Sequence, residues 1–153
     1  MATTAVRIRL EGVEPLLARL QALDKGTRNR ILRKALRKGA KPVIQAERQL
    51  VPKDTGTLKR SIGSKSKTYR KGGVVVFIIG PRNTWTFAQK KGAKKLTLYK
   101  PGKYAALVDK GTKRSRPKPF REPAMNRAKS AAQAAIVGEI TRGLEALARG
   151  EKP

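Results

Sequence analysis

Residues 31–50, ILRKALRKGAKPVIQAERQL, carry the strongest helical pattern in the chain. Ile31, Leu32, Ala35, Leu36, Ala40, Val43, Ala46 and Leu50 recur mostly three or four positions apart, which lines them up on one stripe of a helix. The opposite face carries Arg30, Arg33, Lys34, Arg37, Lys41 and Arg48 with almost no acidic relief. Thr27 is the expected N-cap. Val51-Pro52 ends the helix, because proline holds the residue before it out of helical geometry. Pro42 removes one hydrogen bond inside the pattern, so a bend is expected near Gly39–Pro42.

Upstream, Val6, Ile8 and Leu10 alternate with Arg7, Arg9 and Glu11, the period of a half-buried strand that Gly12 ends. A short helix follows, with Leu16, Leu17, Leu20 and Leu23 on one stripe, Pro15 in its first turn, and Asp24-Lys25-Gly26 closing it. Downstream, Thr57 to Gly80 reads as a β-hairpin. Its first strand runs roughly from Leu58 to Tyr69, Lys71-Gly72-Gly73 is the turn, and Val74 to Ile79 is the return. A return strand this apolar is expected to be covered on both faces or to lie central in its sheet. Residues 81–103 read as a long loop or arm with room for a short extra hairpin. Tyr104 to Val108 is an ordered apolar segment, and Gly111 to Pro119 is a basic loop. A last helix runs from Pro123 to about Leu147, with Met125, Ala128, Ala132, Ala135, Ile136, Ile140, Leu144 and Leu147 on one face and Arg149-Gly150 at its end. The expectation is one α+β domain over 1–153, a small antiparallel sheet with a long hairpin packed against a long central helix and a C-terminal helix. Segments 63–73 and 81–103 are expected to serve as arms.

The chain carries 37 Lys and Arg against 10 Asp and Glu, a formal +27. Such a field attracts polyanions: nucleic acid, acidic protein or anionic lipid. With no cysteine, disulfides, thiolate nucleophiles and sulfur-ligated metals are excluded; with no histidine, the usual general base and the commonest metal ligand are missing. No cofactor is expected. Arg7, Arg9 and Glu11 break any signal-peptide stretch, and Val74 to Ile79 is too short to cross a bilayer, so the chain is expected to be made in a cytoplasm and to stay soluble.

Three local runs stand out. In Pro52-Lys53-Asp54-Thr55-Gly56-Thr57-Leu58-Lys59-Arg60-Ser61-Ile62, proline stops a helix, Asp and Thr can bond nearby backbone N–H groups, and Gly56 permits a sharp reversal. The second run is Tyr104-Ala105-Ala106-Leu107-Val108-Asp109-Lys110-Gly111-Thr112. The third is Pro119-Phe120-Arg121-Glu122-Pro123-Ala124, where Phe120 is expected to anchor a loop to the core just before the last helix. Each run alone is unspecific, but their order is not. A helix with Ala35-Leu36-Arg37-Lys38-Gly39-Ala40 leads to P-x-D-T-G-x-L-x-x-S-I, a hairpin, Y-A-x-x-V-D-x-G-T and K-P-F-x-x-P-A. In this order, from about Leu10 to about Leu147, the chain resembles the tail-completion, or head–tail joining, family of long-tailed double-stranded DNA phages. That family usually has Glu where this chain has Asp109, and often His near the position of Tyr104.

The resemblance implies a non-enzymatic virion subunit. It would form a ring, most simply a hexamer, that completes the tail tube and meets the head connector around a DNA channel. Asp54 is then a brace of its turn in preference to a catalytic acid. Asp109 is a structural carboxylate in preference to a cation ligand, since no second acid lies close in sequence. Trp85 and Phe87 are read as packing residues ahead of base-stacking ones. Arg30, Arg33, Lys34, Arg37 and Lys41, with Lys113, Arg114 and Arg116 of the basic loop, are the residues expected to face a partner protein or DNA. A basic nucleic-acid-binding protein is the alternative that the charge favours.

Overall fold

The computed structural model describes residues 13–69, 74–84, 86–91 and 95–151. The strand expected at Val6 to Leu10, the Lys71-Gly72-Gly73 turn and Trp85 lie outside the described residues. In chain order the elements are α1 (Glu14–Gln21), α2 (Lys25–Leu50), α3 (Thr57–Ser61), β1 (Ile62–Tyr69), β2 (Val74–Pro81), β3 (Phe87–Lys91), β4 (Lys95–Tyr99), α4 (Pro101–Lys110) and α5 (Arg121–Ala148). The architecture is α+β, with α2 packed against α5.

α2 is continuous through Pro42. Its N-cap is Asp24 and not Thr27: the Asp24 carboxylate accepts from Gly26 N at 2.8 Å and Thr27 N at 3.0 Å. The residues expected to close the first helix therefore open the second. Ile31, Ala35, Gly39, Ala40, Val43 and Ala46 form the buried stripe, whereas Leu50, expected on it, is 37% exposed. Val51, in extended geometry just past the helix, takes the place in the core.

α5 runs antiparallel to α2. Ile31, Ala35 and Ile140 pack together at one end with Leu20 of α1, and Val43 and Ala46 meet Ala124, Ala128 and Ala132 farther along. The seam is close because the facing residues are small. A Cβ on Gly39 would sit 2.8 Å from Ile136 Cδ1 and 3.1 Å from the Ala132 carbonyl, so any larger residue there must displace the facing helix or its side chain.

β1 and β2 pair antiparallel from Ile62 opposite Pro81 to Tyr69 opposite Val74. β3 and β4 form a separate two-stranded hairpin, the extra one for which residues 81–103 left room. The first strand starts later than its sequence suggests. Thr57–Ser61 is a helical turn, because Leu58 and Ile62 are four apart and both belong in the core, and the Ser61 hydroxyl closes the turn onto the Leu58 carbonyl at 2.7 Å. Nor is β2 covered on both faces within this subunit. Ile79 packs towards the α2–α5 seam, but Val74 is 50% and Ile78 59% exposed, and among the described residues β1 is the only strand beside β2.

Candidate functional site

At the end of the molecule where α2 stops, the three sequence runs meet. Val51, Leu58, Ile62, Ala105 and Phe120 form one buried cluster, and Phe120 is the largest fully buried side chain among the described residues. The P-x-D-T-G turn works through Gly56, whose φ of 72° is left-handed, and through Thr55, whose hydroxyl lies 2.7 Å from that of Thr57 and accepts from Thr57 N. Asp54, expected to brace this turn, is exposed, and the turn's side-chain bonds are made by Thr55.

Pro101 begins α4 at a position where a missing N–H is harmless. Near the end of that helix, the Asp109 carboxylate reaches across to the start of α5 and accepts from Phe120 N at 3.0 Å and Arg121 N at 3.4 Å. α5 has no side-chain cap of its own, so Asp109 caps it from another helix and sets a negative charge at its positive end. Gly111 ends α4 with φ 75°, and a Cβ there would lie 2.7 Å from Pro117 N. Thr112 Oγ1 takes the N–H groups of Arg114 and Ser115, and Lys118 N donates to the Val108 carbonyl at 2.9 Å. D-x-G-T is thus a knot tying α4, the basic loop and α5 together.

Above this knot lies a cavity of about 590 Å³. Pro52, Asp54, Thr55, Gly56, Tyr104, Thr112 and Arg116 line it, together with Leu58, Leu107, Val108, Ser115 and Lys118. Asp109, Gly111, Phe120, Pro119 and Pro123 are not part of its wall; Pro119 and Pro123 are exposed.

Over residues 14–111 the chain matches the family described as "Bacteriophage HK97-gp10, putative tail-component". It belongs to that HK97-gp10-like family. The matched span holds the P-x-D-T-G run and the Y-A-x-x-V-D-x-G-T run as far as Gly111, while Thr112, K-P-F-x-x-P-A and α5 lie beyond it. No curated protein and no solved structure is similar enough to match. Membership makes the chain a phage tail component, a virion-associated protein that works among other tail proteins.

The other residues singled out in this HK97-gp10-like chain lie apart from the cavity wall. Arg30, Arg33, Lys34 and Arg37 line a shallow depression on α2 with Gly26 and Asn29, and Lys41 is exposed beyond it. Arg33 is the exception to a purely solvated face: its guanidinium donates to Thr68 Oγ1 at 3.0 and 3.2 Å and ties β1 to the helix. Arg48 likewise has a structural partner, donating to the Ile62 carbonyl at 2.9 Å. Lys113 and Arg114 are exposed on the loop beside the cavity. The side chain of Phe87 lies outside the described residues.

Sequence reasoning missed Glu47. It is only 4% exposed, and its Oε2 has no hydrogen-bond partner. Burial pushes its carboxyl up to about 7; the Arg121 guanidinium pulls the other way, and the Asp109 carboxylate adds to the rise. The signal was present, since residue 47 follows Val43 by four on the buried stripe. Among the described residues no group of acidic side chains could hold a metal ion, and no helix is long and apolar enough to cross a membrane.

Proposed function

We propose that this tail component is a non-catalytic ring subunit of the phage neck, completing the tail tube and joining it to the head connector around a channel for DNA. The observation that carries the reading is the open face of β2. A two-stranded hairpin offering Val74 and Ile78 to water is a poor ending for a finished molecule and a good beginning for an interface, because neighbouring copies can cover the apolar row. A closed ring uses such a surface on every subunit. The segments 63–73 and 81–103 are the arms that would reach those neighbours.

The charge decides when the ring forms. Six copies multiply the formal +27 to about +160, a repulsion screened only beyond roughly 8 Å at physiological salt. The purified chain is therefore expected to sediment as a monomer or weak oligomer at low salt and to form rings only against the tail or connector. A tight ring at low salt that dissolves as salt rises contradicts the proposal.

The basic depression on α2 favours a second reading, a nucleic-acid-binding protein. A specific DNA affinity of the purified chain that falls steeply with salt would move the assignment there.

A further inference from the structure

We infer that the cavity walled by the P-x-D-T-G turn, α4 and the basic loop is a docking groove for an acidic peptide segment of a different virion protein, which inserts an apolar side chain. The inference rests on the tail-component reading and adds the chemistry of the partner.

The interior of the groove is aliphatic. Leu58 and Val108 form wall on the core side, and Leu107, turned out of the α4 packing, is 55% exposed at its mouth. An open, apolar hollow of about 590 Å³ gains most from a large aliphatic or aromatic side chain. The rim is cationic: Arg116 and Lys118 reach the groove, and Lys113 and Arg114 stand exposed on the same loop, against one acid in the wall, Asp54. Charge complementarity therefore calls for acidic residues flanking the inserted side chain.

The walls are also held in advance. The Asp109 bonds to the start of α5, the close approach at Gly111, the Thr112 hydroxyl and the Lys118–Val108 hydrogen bond hold both ends of the loop, so little ordering is left to be done on binding. A nucleic acid fits poorly, because phosphates want the cations at the bottom of a site and bases want stacked aromatics, whereas Tyr104 is the one aromatic in this lining. A second copy fits poorly as well. With 37 basic and 10 acidic residues, it has few acidic segments to bring to a basic rim.

The full-length chain, carrying the photo-crosslinker p-benzoylphenylalanine at Leu107, would be supplied in trans to a phage lacking its own copy, and the assembled particles irradiated. The expected product is a crosslink to a net-negative segment of another virion protein. A crosslink to a second copy, to DNA or to a basic segment overturns the inference, and so does the absence of any crosslink in particles that contain the chain.

Two variants give an independent readout, Leu107→Asp and the pair Arg116→Glu with Lys118→Glu. Both are expected to melt as wild type and to lower infectious titre by about tenfold or more. Wild-type titre from both overturns the groove. Mass spectrometry of wild-type particles separates the two levels: a chain missing from the particles defeats the tail-component reading itself, whatever the groove does.

Discussion

Phe120 and Glu47 show how much a single position contributes to this molecule. Phe120 is fully buried among Val51, Leu58, Ile62 and Ala105, where the two motif-bearing turns and the start of α5 converge. Phe120→Ala should cost about 3–5 kcal/mol in denaturant unfolding, the sum of lost transfer energy and the cavity left behind. A loss below about 1 kcal/mol would place the ring outside the core. The Arg121 guanidinium, 5.7 Å from the ring centroid, adds less than the burial does. Glu47 acts in the opposite direction. Its carboxyl titrates near 7 in the folded chain against an ordinary 4.5, so the folded state holds the proton more tightly than the unfolded one. The associated stability is complete below pH 4.5 and is lost as pH rises through 7, by at most about 3 kcal/mol. Glu47→Gln cannot titrate. The stability of wild type relative to this variant should therefore fall between pH 4.5 and 7 and level off above. A difference that stays flat across that window would mean that the carboxyl is charged and satisfied throughout.

Among the elements, the α2–α5 seam carries the fold, and its closeness can be tested at two glycines with opposite expectations. Glycine inside a helix ordinarily costs up to about 1 kcal/mol relative to alanine. Gly138 on α5 is exposed and has nothing within 4 Å of where a Cβ would stand, so Gly138→Ala should raise the melting temperature. Gly39 faces Ile136 and the Ala132 carbonyl. Ile136 can swing aside but a helix carbonyl cannot, so Gly39→Ala should lower stability by about 1–3 kcal/mol despite the better helix former. Equal gains from both substitutions would show the seam to be looser than its geometry. Local periodicity made α2 and α5 legible as helices, because three- and four-residue spacing is a property of consecutive residues. The same reading took Asp24 for the end of a helix and Leu58 for the start of a strand. Asp24 sits between two helices and can serve either, and its carboxylate is claimed by the N–H groups of Gly26 and Thr27. At Leu58, burial of two residues four apart outweighs the alternation of the strand that follows.

At the scale of the whole molecule, charge sets what the protein can associate with. Arg30 with Lys34, and Arg37 with Lys41, stack like charges one helical turn apart, each at a cost of about 0.2–0.5 kcal/mol that an isolated chain has no reason to bear. An acidic surface on a neighbouring virion protein removes that cost; a channel lined with these cations would instead grip passing phosphates and slow ejection. The double variant Arg33→Glu, Arg37→Glu should remain folded, because both positions are exposed and the Arg33 bonds to Thr68 lie in water, yet fail to yield infectious particles. Normal yield, measured by titre beside a circular-dichroism melt, would reduce the face to a solubility feature.

The order of residues alone determined α1, α2, α5 and the main hairpin, the lack of histidine and cysteine chemistry, the basic face of α2 and the family resemblance, because each depends on spacing along the chain or on simple counting; it did not reveal α3 or α4 as helices. It also placed Phe120 in the core, since one large apolar residue among prolines and cations has few other places to go. It took the folded arrangement to show that Asp109 caps α5 from another helix, that Gly39 is a point of close approach, that Glu47 is buried within the field of Arg121, and that Val74 and Ile78 of β2 stay exposed. These facts concern atoms brought within a few ångströms from distant parts of the chain, and no local period encodes them. The cavity is the clearest case. Pro52, Gly56, Tyr104, Thr112 and Arg116 stood out separately in the sequence, but a hollow exists only where packing fails to fill space, and where that happens is settled by all the elements together.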